Sequence, residues 1–419
     1  LNTTRYAALF GGAQSAHRHG RDHTSLRQDN LSVILRRVWC VDETSRAELA
    51  RELGLSRSAV STLVEPLLNA GLIEEGGAGH STGGRKPRIL RFNPEGHFIL
   101  GVDLGATHVS VIAIDLNGNV KGWRVSSCDV RAQPTEALRL INSLCQSLIN
   151  ELQGPGRVLL GVGLAAPSPI SESQATKLSP LFMPLWSDVD LATDLKLPPR
   201  CPLIVDNDAN AGALAEMWWG SGRESTHIAF LKLGTGVGGG FVVHGEVFRG
   251  HSGLAGEIGH LVINPEGDPC VCGLRGCLAT YVGSGALLSK ARSLSTGGDT
   301  SLYPNVEALI TALREGDPVA RAVITEAGEH LGLAVAGLLS IMNPERILIG
   351  GALAEAGEAL LHPLRDRLLS RSLWTALSTS RIQVSELGER GVALGAATLV
   401  LQSALAHPER FFRAWSDPV

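Results

Sequence analysis

The hydrophobic pattern divides the chain into a short helical front and a long α/β body. Leu26, Leu31, Ile34, Leu35 and Val38 recur at helical spacing and predict a first helix with one apolar face. Ser45-Arg-Ala-Glu48 is a capping box that opens a second, short helix, with Ala47, Leu49, Ala50 and Leu53 inward and Gly54 at its end. Ser56 is the expected N-cap of a third helix whose inner side carries Val60, Leu63, Val64, Leu67 and Leu68. Pro66 removes a hydrogen bond inside it and should kink or end it near Val64. Gly71-Leu-Ile-Glu starts a strand, a glycine-rich tip follows, and Ile89 to Phe92 return.

Two helices joined by Gly-Leu-Ser, followed by a hairpin, predict a winged helix-turn-helix over residues 23–95, behind a tail at 1–22. In that geometry the start of the third helix enters the major groove, so Ser56, Arg57, Ser58, Ser61 and Thr62 are candidates for base edges or phosphates. Arg85 and Lys86 at the base of the flexible tip are candidates for a minor groove or phosphates. A small helical protein-interaction domain is the competing reading. Capping, turn, wing and basic tip together favour DNA.

The body contains two segments built to one plan: strand, glycine turn, strand, tight hairpin, strand. The first runs from Phe98 through Asp103-Leu-Gly105-Ala-Thr107 and the Asn117-Gly118 hairpin to Val125. The second runs from His227 through Gly234-Thr235-Gly236 and the His244-Gly245 hairpin to Phe248. Helical pattern recurs at 135–152, 209–219, 318–342 and 355–370, and Ile347-Leu-Ile-Gly350-Gly351 is a buried strand ending in a glycine pair. This predicts two similar α/β lobes facing a cleft. Glycine turns at strand ends let backbone N–H groups approach phosphates, although most such turns are only hairpins. Ile204 to Asn210 ends a strand and opens a helix. A carboxylate there can take a proton from a substrate hydroxyl, or Asn207 or Asp208 can simply cap the helix.

Charge is uneven. Residues 1–95 carry 13 Lys+Arg against 10 Asp+Glu and the remainder 24 against 31, so a mildly basic front precedes an acidic body. The first thirty residues lack a sustained apolar core, and the run Leu331 to Met342 is too short to span a bilayer, so neither signal peptide nor membrane is expected. Seven cysteines give no paired framework of the secreted kind, which favours a reducing, cytoplasmic setting.

Three of those cysteines fall close together. His260 is followed after nine residues by Cys270-Val-Cys272-Gly-Leu-Arg-Gly-Cys277, in a loop rich in glycine and proline. Three sulfurs and one nitrogen make the closed tetrahedral set of a structural zinc site. A disulfide plus a free thiol is the alternative, which the spacing disfavours. Glu257 cannot be a fifth ligand of a closed site and is left for something else, a bound small molecule.

In order along the chain, Asp103-Leu-Gly-Ala-Thr107, Asp206-Asn-Asp208-Ala-Asn210, Leu233 to Gly240, Ala255-Gly-Glu257-Ile-Gly-His260 and the cysteine run resemble the ROK family of repressors, open reading frames and kinases. The front end resembles that of its repressor branch. The resemblance implies an actin-like, ribonuclease-H-type two-lobed sugar-kinase fold, with one lobe over 97–215 (joined by a helix near 391–405) and the other over 216–390 with a zinc loop at 257–280. It implies that Asn207, Asp208, Glu257 and His260 bind a sugar, with Asp208 the catalytic base in kinases. It further implies that Asp103, Gly105, Thr107, Gly234, Thr235, Gly236, Gly350 and Gly351 face ATP and magnesium where nucleotide binding is retained. Ala106, Ser168 and Ala279 depart from the kinase pattern, and Ala279 removes a carboxylate that kinases use on the sugar. The expected function is therefore a sugar-responsive regulator, a repressor of carbohydrate genes, acting as a homodimer or higher homo-oligomer on operator DNA with a monosaccharide effector. Xylose, glucose and N-acetylglucosamine are the sugars the resemblance suggests. The rival is an ATP-dependent sugar kinase that also binds DNA.

Overall fold

A computed structural model of the chain describes residues 23–78, 88–171, 175–295, 302–369 and 380–412. The chain forms two compact units, Leu1–Asp206 with Ala393–Val419, and Asn207–Val392.

The first unit opens with helices α1 (His23–Cys40), α2 (Arg46–Leu53) and α3 (Arg57–Asn69) and strands β1 (Thr44–Ser45), β2 (Ile73–Ala78) and β3 (Arg88–Phe92). The strands form one sheet in the order β1-β3-β2. Leu31, Ile34, Leu35, Val38, Leu49, Val60, Leu63, Val64 and Leu67 are buried. Ser45 caps α2 by accepting from the Glu48 N–H, and Gly54 closes it in the left-handed conformation. One expectation is corrected: Pro66 does not end the third helix, which runs on to Asn69. Its last turn is held from beyond, by Ala70 N–H on the Pro66 carbonyl (3.0 Å) and Leu72 N–H on that of Leu67 (3.1 Å), while Leu67 stays buried.

The same unit continues as a five-stranded sheet, β4 (His97–Leu104), β5 (His108–Asp115), β6 (Val120–Ser127), β7 (Val158–Ala166) and β8 (Leu203–Asn207), in the order β6-β5-β4-β7-β8, with α4 (Pro134–Leu152) against β5 and β6. β4 pairs antiparallel with β5 and parallel with β7. The segment from Gly161, expected to be a loop, is the body of β7 as far as Ala166. Its glycines suggested a turn, but they answer a packing demand instead. The helix Gly391–Ala406 lies on this sheet so closely that a Cβ on Gly101 would fall 2.0 Å from the Ala393 carbonyl oxygen, and one on Gly163 1.8 Å from that of Ala396. Gly163→Ala must push helix from sheet and is expected to cost about 1–3 kcal/mol or more, read as a lower urea midpoint.

The front domain is joined directly to this sheet. Trp39 Nε1 donates to the Leu116 carbonyl at 3.1 Å, and Arg36 Nε donates to that of Leu405 at 3.3 Å. His97, the first residue of β4, is buried beside Gly71, and burial lowers its pKa to about 4. The unfolded chain takes up this proton near pH 6.5 and the folded chain does not. The stability His97 permits is therefore complete at neutral pH and lost as pH falls toward 4. Between pH 7 and pH 5 the loss is about 2 kcal/mol. Urea unfolding of wild type and His97→Gln at the two pH values checks this, the variant showing the flatter dependence.

The second unit repeats the plan. Helix α5 (Asp208–Trp218) precedes β9 (Ile228–Leu233), β10 (Val237–Val243) and β11 (Glu246–Val247), with β12 (Arg346–Gly350) and β13 (Arg381–Val384) completing a sheet in the order β11-β10-β9-β12-β13. β9 again pairs antiparallel with the next strand and parallel with a later one. Helices α6 (Ser284–Leu294), α7 (Val306–Arg314), α8 (Pro318–Ile341) and α9 (Glu358–Leu369) supply the rest. The apolar run expected to be too short for a bilayer belongs to α8, whose 24 residues are long and apolar enough to cross one. Its Val323, Ile324, Leu331 and Val335 instead form the core of this unit. Two sheets of the same strand order carry the actin-like fold.

Candidate functional site

The metal-ligand set and the sugar-facing set predicted from the sequence both lie in the second unit. His260, Cys270, Cys272 and Cys277 place their ligand atoms within 4.8 Å of one another. Cys270 Sγ is 3.4 Å from His260 Nδ1, and Cys272 Sγ is 3.6 Å from Cys277 Sγ. A tetrahedron with zinc–sulfur bonds near 2.3 Å and zinc–nitrogen bonds near 2.0 Å has edges of about 3.5–3.8 Å, so this donor set fits such an ion. The sulfurs are too far apart for a disulfide, and all seven cysteines are free. The loop is folded by its own backbone: Cys270 N–H donates to the Leu274 carbonyl at 2.8 Å, and Gly276 N–H to that of Asp268 at 2.8 Å. Burial pushes the Cys277 thiol up, and its neighbouring thiols push it further. Cys272 is exposed and is lowered, first by the N–H of Leu274. A cation among the four would reverse the penalty on Cys277, because a coordinated thiol is held as thiolate.

With Nδ1 turned to the sulfurs, His260 presents Nε2 to Glu257, whose Oε2 is 4.0 Å away. That gap is too long for a direct hydrogen bond and suits one hydroxyl held by both. Glu257 is set in place by backbone contact. Gly239 N–H donates to the Gly256 carbonyl at 2.7 Å, and a Cβ on Gly256 (φ 102°) would stand 1.9 Å from the Gly239 oxygen. Burial, and then the negative charge of Asp208, raise the pKa of Glu257 to about 7. Burial also lowers that of His260.

At the start of α5 both readings of the Asn-Asp pair hold in part. Asn207 is the N-cap, its side-chain oxygen accepting from Ala209 N–H (2.9 Å) and Asn210 N–H (3.2 Å). Asp208 is not the cap. Its Oδ2 accepts from Lys232 Nζ at 2.6 Å. Lys232 escaped the sequence reading, although a lone charge inside the apolar strand Ile228–Leu233 was a visible signal.

The glycine positions proposed for phosphates divide between the units. Gly234-Thr235-Gly236 forms the β9–β10 turn, where Gly234 N–H donates to the Gly236 carbonyl at 2.9 Å. Gly350 ends β12, and Gly351 follows it against the Leu233 carbonyl. In the first unit, Asp103 ends β4 near the turn of Gly105 and Thr107, and His108, another residue the sequence reading missed, stands in this turn. Its Nε2 lies 3.1 Å from Asp103 Oδ2, and its ring is where a Cβ on Gly105 would be, 2.4 Å from Cε1. The space over the first glycine turn is thus taken by the chain's own imidazole.

In the front domain Ser56 caps α3 by accepting from the Ala59 N–H at 3.1 Å. Arg57, Ser58 and Thr62 are exposed and Ser61 is half-buried. The Thr62 hydroxyl donates to the Ser58 carbonyl at 3.0 Å, leaving its lone pairs for a partner. Arg88 at the wing base pairs with Glu75 (3.1 Å), which also lies 3.5 Å from Arg46. Arg85 and Lys86 lie outside the described residues.

Comparison with known proteins agrees with this division. Residues 99–403 match a family described as "ROK family", and residues 42–74 match "Winged helix-turn-helix DNA-binding". The chain is 33% identical to the xylose repressor of Caldicellulosiruptor bescii over 93% of this chain and 99% of that one. It is 33% identical to the glucokinase of Thermotoga maritima over 72% of this chain and 96% of that one. Among solved structures it is similar to a ROK family transcriptional regulator, homolog of E. coli MLC protein, with a TM-score of 0.76 and 25% identity over 93% of this chain and 99% of the other.

Proposed function

The chain belongs to the ROK family, and from that premise we propose that it is a sugar-responsive transcriptional repressor of carbohydrate genes. One observation carries the reading. A single chain combines a capped recognition helix in a winged domain with a pocket wall of Asn207, Asp208, Glu257 and His260, the last held by a metal-binding loop. The ion is zinc, the setting is the cytoplasm, and the acting species is a homodimer on a two-fold operator. Recognition helices of such a dimer must stand about 34–36 Å apart to enter successive major grooves. A monosaccharide that favours a different spacing releases the operator. Similarity over nearly the full chain to a protein named xylose repressor makes xylose the first effector to test.

The kinase reading rests on Asp208 and on the similarity to a glucokinase. His108 over the first glycine turn and Lys232 on Asp208 weigh against it. A thermal-shift screen of xylose, glucose and N-acetylglucosamine, each with and without ATP and magnesium, tests the proposal, since a ligand of the native state raises the melting temperature. One sugar is expected to raise it and ATP to add nothing. Arg57→Ala is expected to weaken operator binding at fixed salt. A chain that no sugar stabilises, or whose DNA retention ignores Arg57, overturns the reading.

A further inference from the structure

Lys232 is the one charged residue in β9. Across the sheet it faces Gly238 on β10 and Gly350 on β12, so no side chain flanks it on either neighbouring strand. A Cβ on Gly238 would meet the side chain of Ala209, the second residue of α5. The sheet therefore opens a corridor toward the start of that helix, where Lys232 Nζ donates to Asp208 Oδ2 at 2.6 Å. The two side chains are only 19% and 11% exposed.

We propose that Lys232 makes Asp208 a fixed acceptor for one sugar hydroxyl and withholds it from proton transfer, so that the site reads a sugar without phosphorylating it. This rests on the reading of the pocket as a monosaccharide site and adds what the pocket does with its carboxylate. A general base must end the step carrying the proton. Protonating Asp208 would replace a neutral pair with a lone ammonium in a site mostly closed to water, an uncompensated charge. Accepting a hydrogen bond requires no such change. An ionised carboxylate has about four lone-pair sites, so a hydroxyl can donate to Asp208 while Lys232 stays bound. The pair also fixes the direction from which that hydroxyl must come.

The test is isothermal titration of wild type and Lys232→Met with xylose, glucose and N-acetylglucosamine, and with the monodeoxy analogues of whichever sugar binds, alongside ADP release from ATP and magnesium. Wild type is expected to lose about tenfold or more in affinity for one deoxy analogue, the cost of an unmade hydrogen bond to a charged group, and to release no ADP above the sugar-free background. Lys232→Met is expected to narrow that gap to about threefold or less, because an unanchored Asp208 no longer selects the hydroxyl; a pair needed only for folding would lower the melting temperature and leave the gap intact. An intact gap in the variant, or sugar-dependent ADP release by wild type that Asp208→Asn abolishes, overturns the proposal and leaves the sugar site standing. Failure of every sugar to bind wild type overturns both. The ADP measurement uses the wild-type chain alone, so it decides even where Lys232→Met does not fold.

Discussion

Cys272→Ser is expected to strip the metal from the chain and to lower monosaccharide affinity by about 10–100-fold, the range seen when the support of a metal ligand is removed. Cys272 is the exposed member of the set, so the substitution disturbs little packing. Its loss leaves two thiols and an imidazole, one short of a closed site. His260 then loses the anchor on Nδ1 that points Nε2 toward Glu257. Operator binding in the absence of sugar should persist, because the recognition helix belongs to the other unit. Elemental analysis should find one zinc per wild-type chain and none in the variant, and calorimetry should show the affinity loss. A metal-free variant with full sugar affinity would detach the loop from the pocket.

Glu257→Ala is expected to move the sugar concentration needed for operator release upward by about tenfold or more, the worth of one charge-assisted hydrogen bond. Sugar-free operator affinity should stay within about twofold. The coupling is reciprocal, so operator must weaken sugar binding by the factor by which sugar weakens operator binding. Full conversion of the population from 1:99 to 99:1 needs a preference of about 10⁴-fold for one state. Operator titrations in a sugar series at fixed salt give both numbers. Equal release midpoints for wild type and Glu257→Ala would remove this carboxylate from the pocket.

What the sequence disclosed and what it hid differ in range. The His260–Cys277 cluster, the Ser45 and Ser56 caps and the glycine hairpins are written within eighteen residues or fewer, where spacing alone brings the groups together. Two copies of one strand plan were equally visible, because each repeats a local pattern. The Lys232–Asp208 pair was not, since it depends on which strand lies beside α5 and on the register that puts glycines on either side of the lysine. β7 looked like a turn because its glycines serve a helix more than two hundred residues away. Pro66 looked like a helix end because the bonds that hold the last turn come from Ala70 and Leu72, beyond the helix.

The most direct measurement of the whole account is one titration. Labelled operator is held by the wild-type chain at constant salt, and the sugar found by thermal shift is added while occupancy and operator release are followed in the same solution. The two curves are expected to share a midpoint, and Glu257→Ala should shift both together. Operator that stays bound at full sugar occupancy, or release that proceeds with the pocket empty, would contradict it.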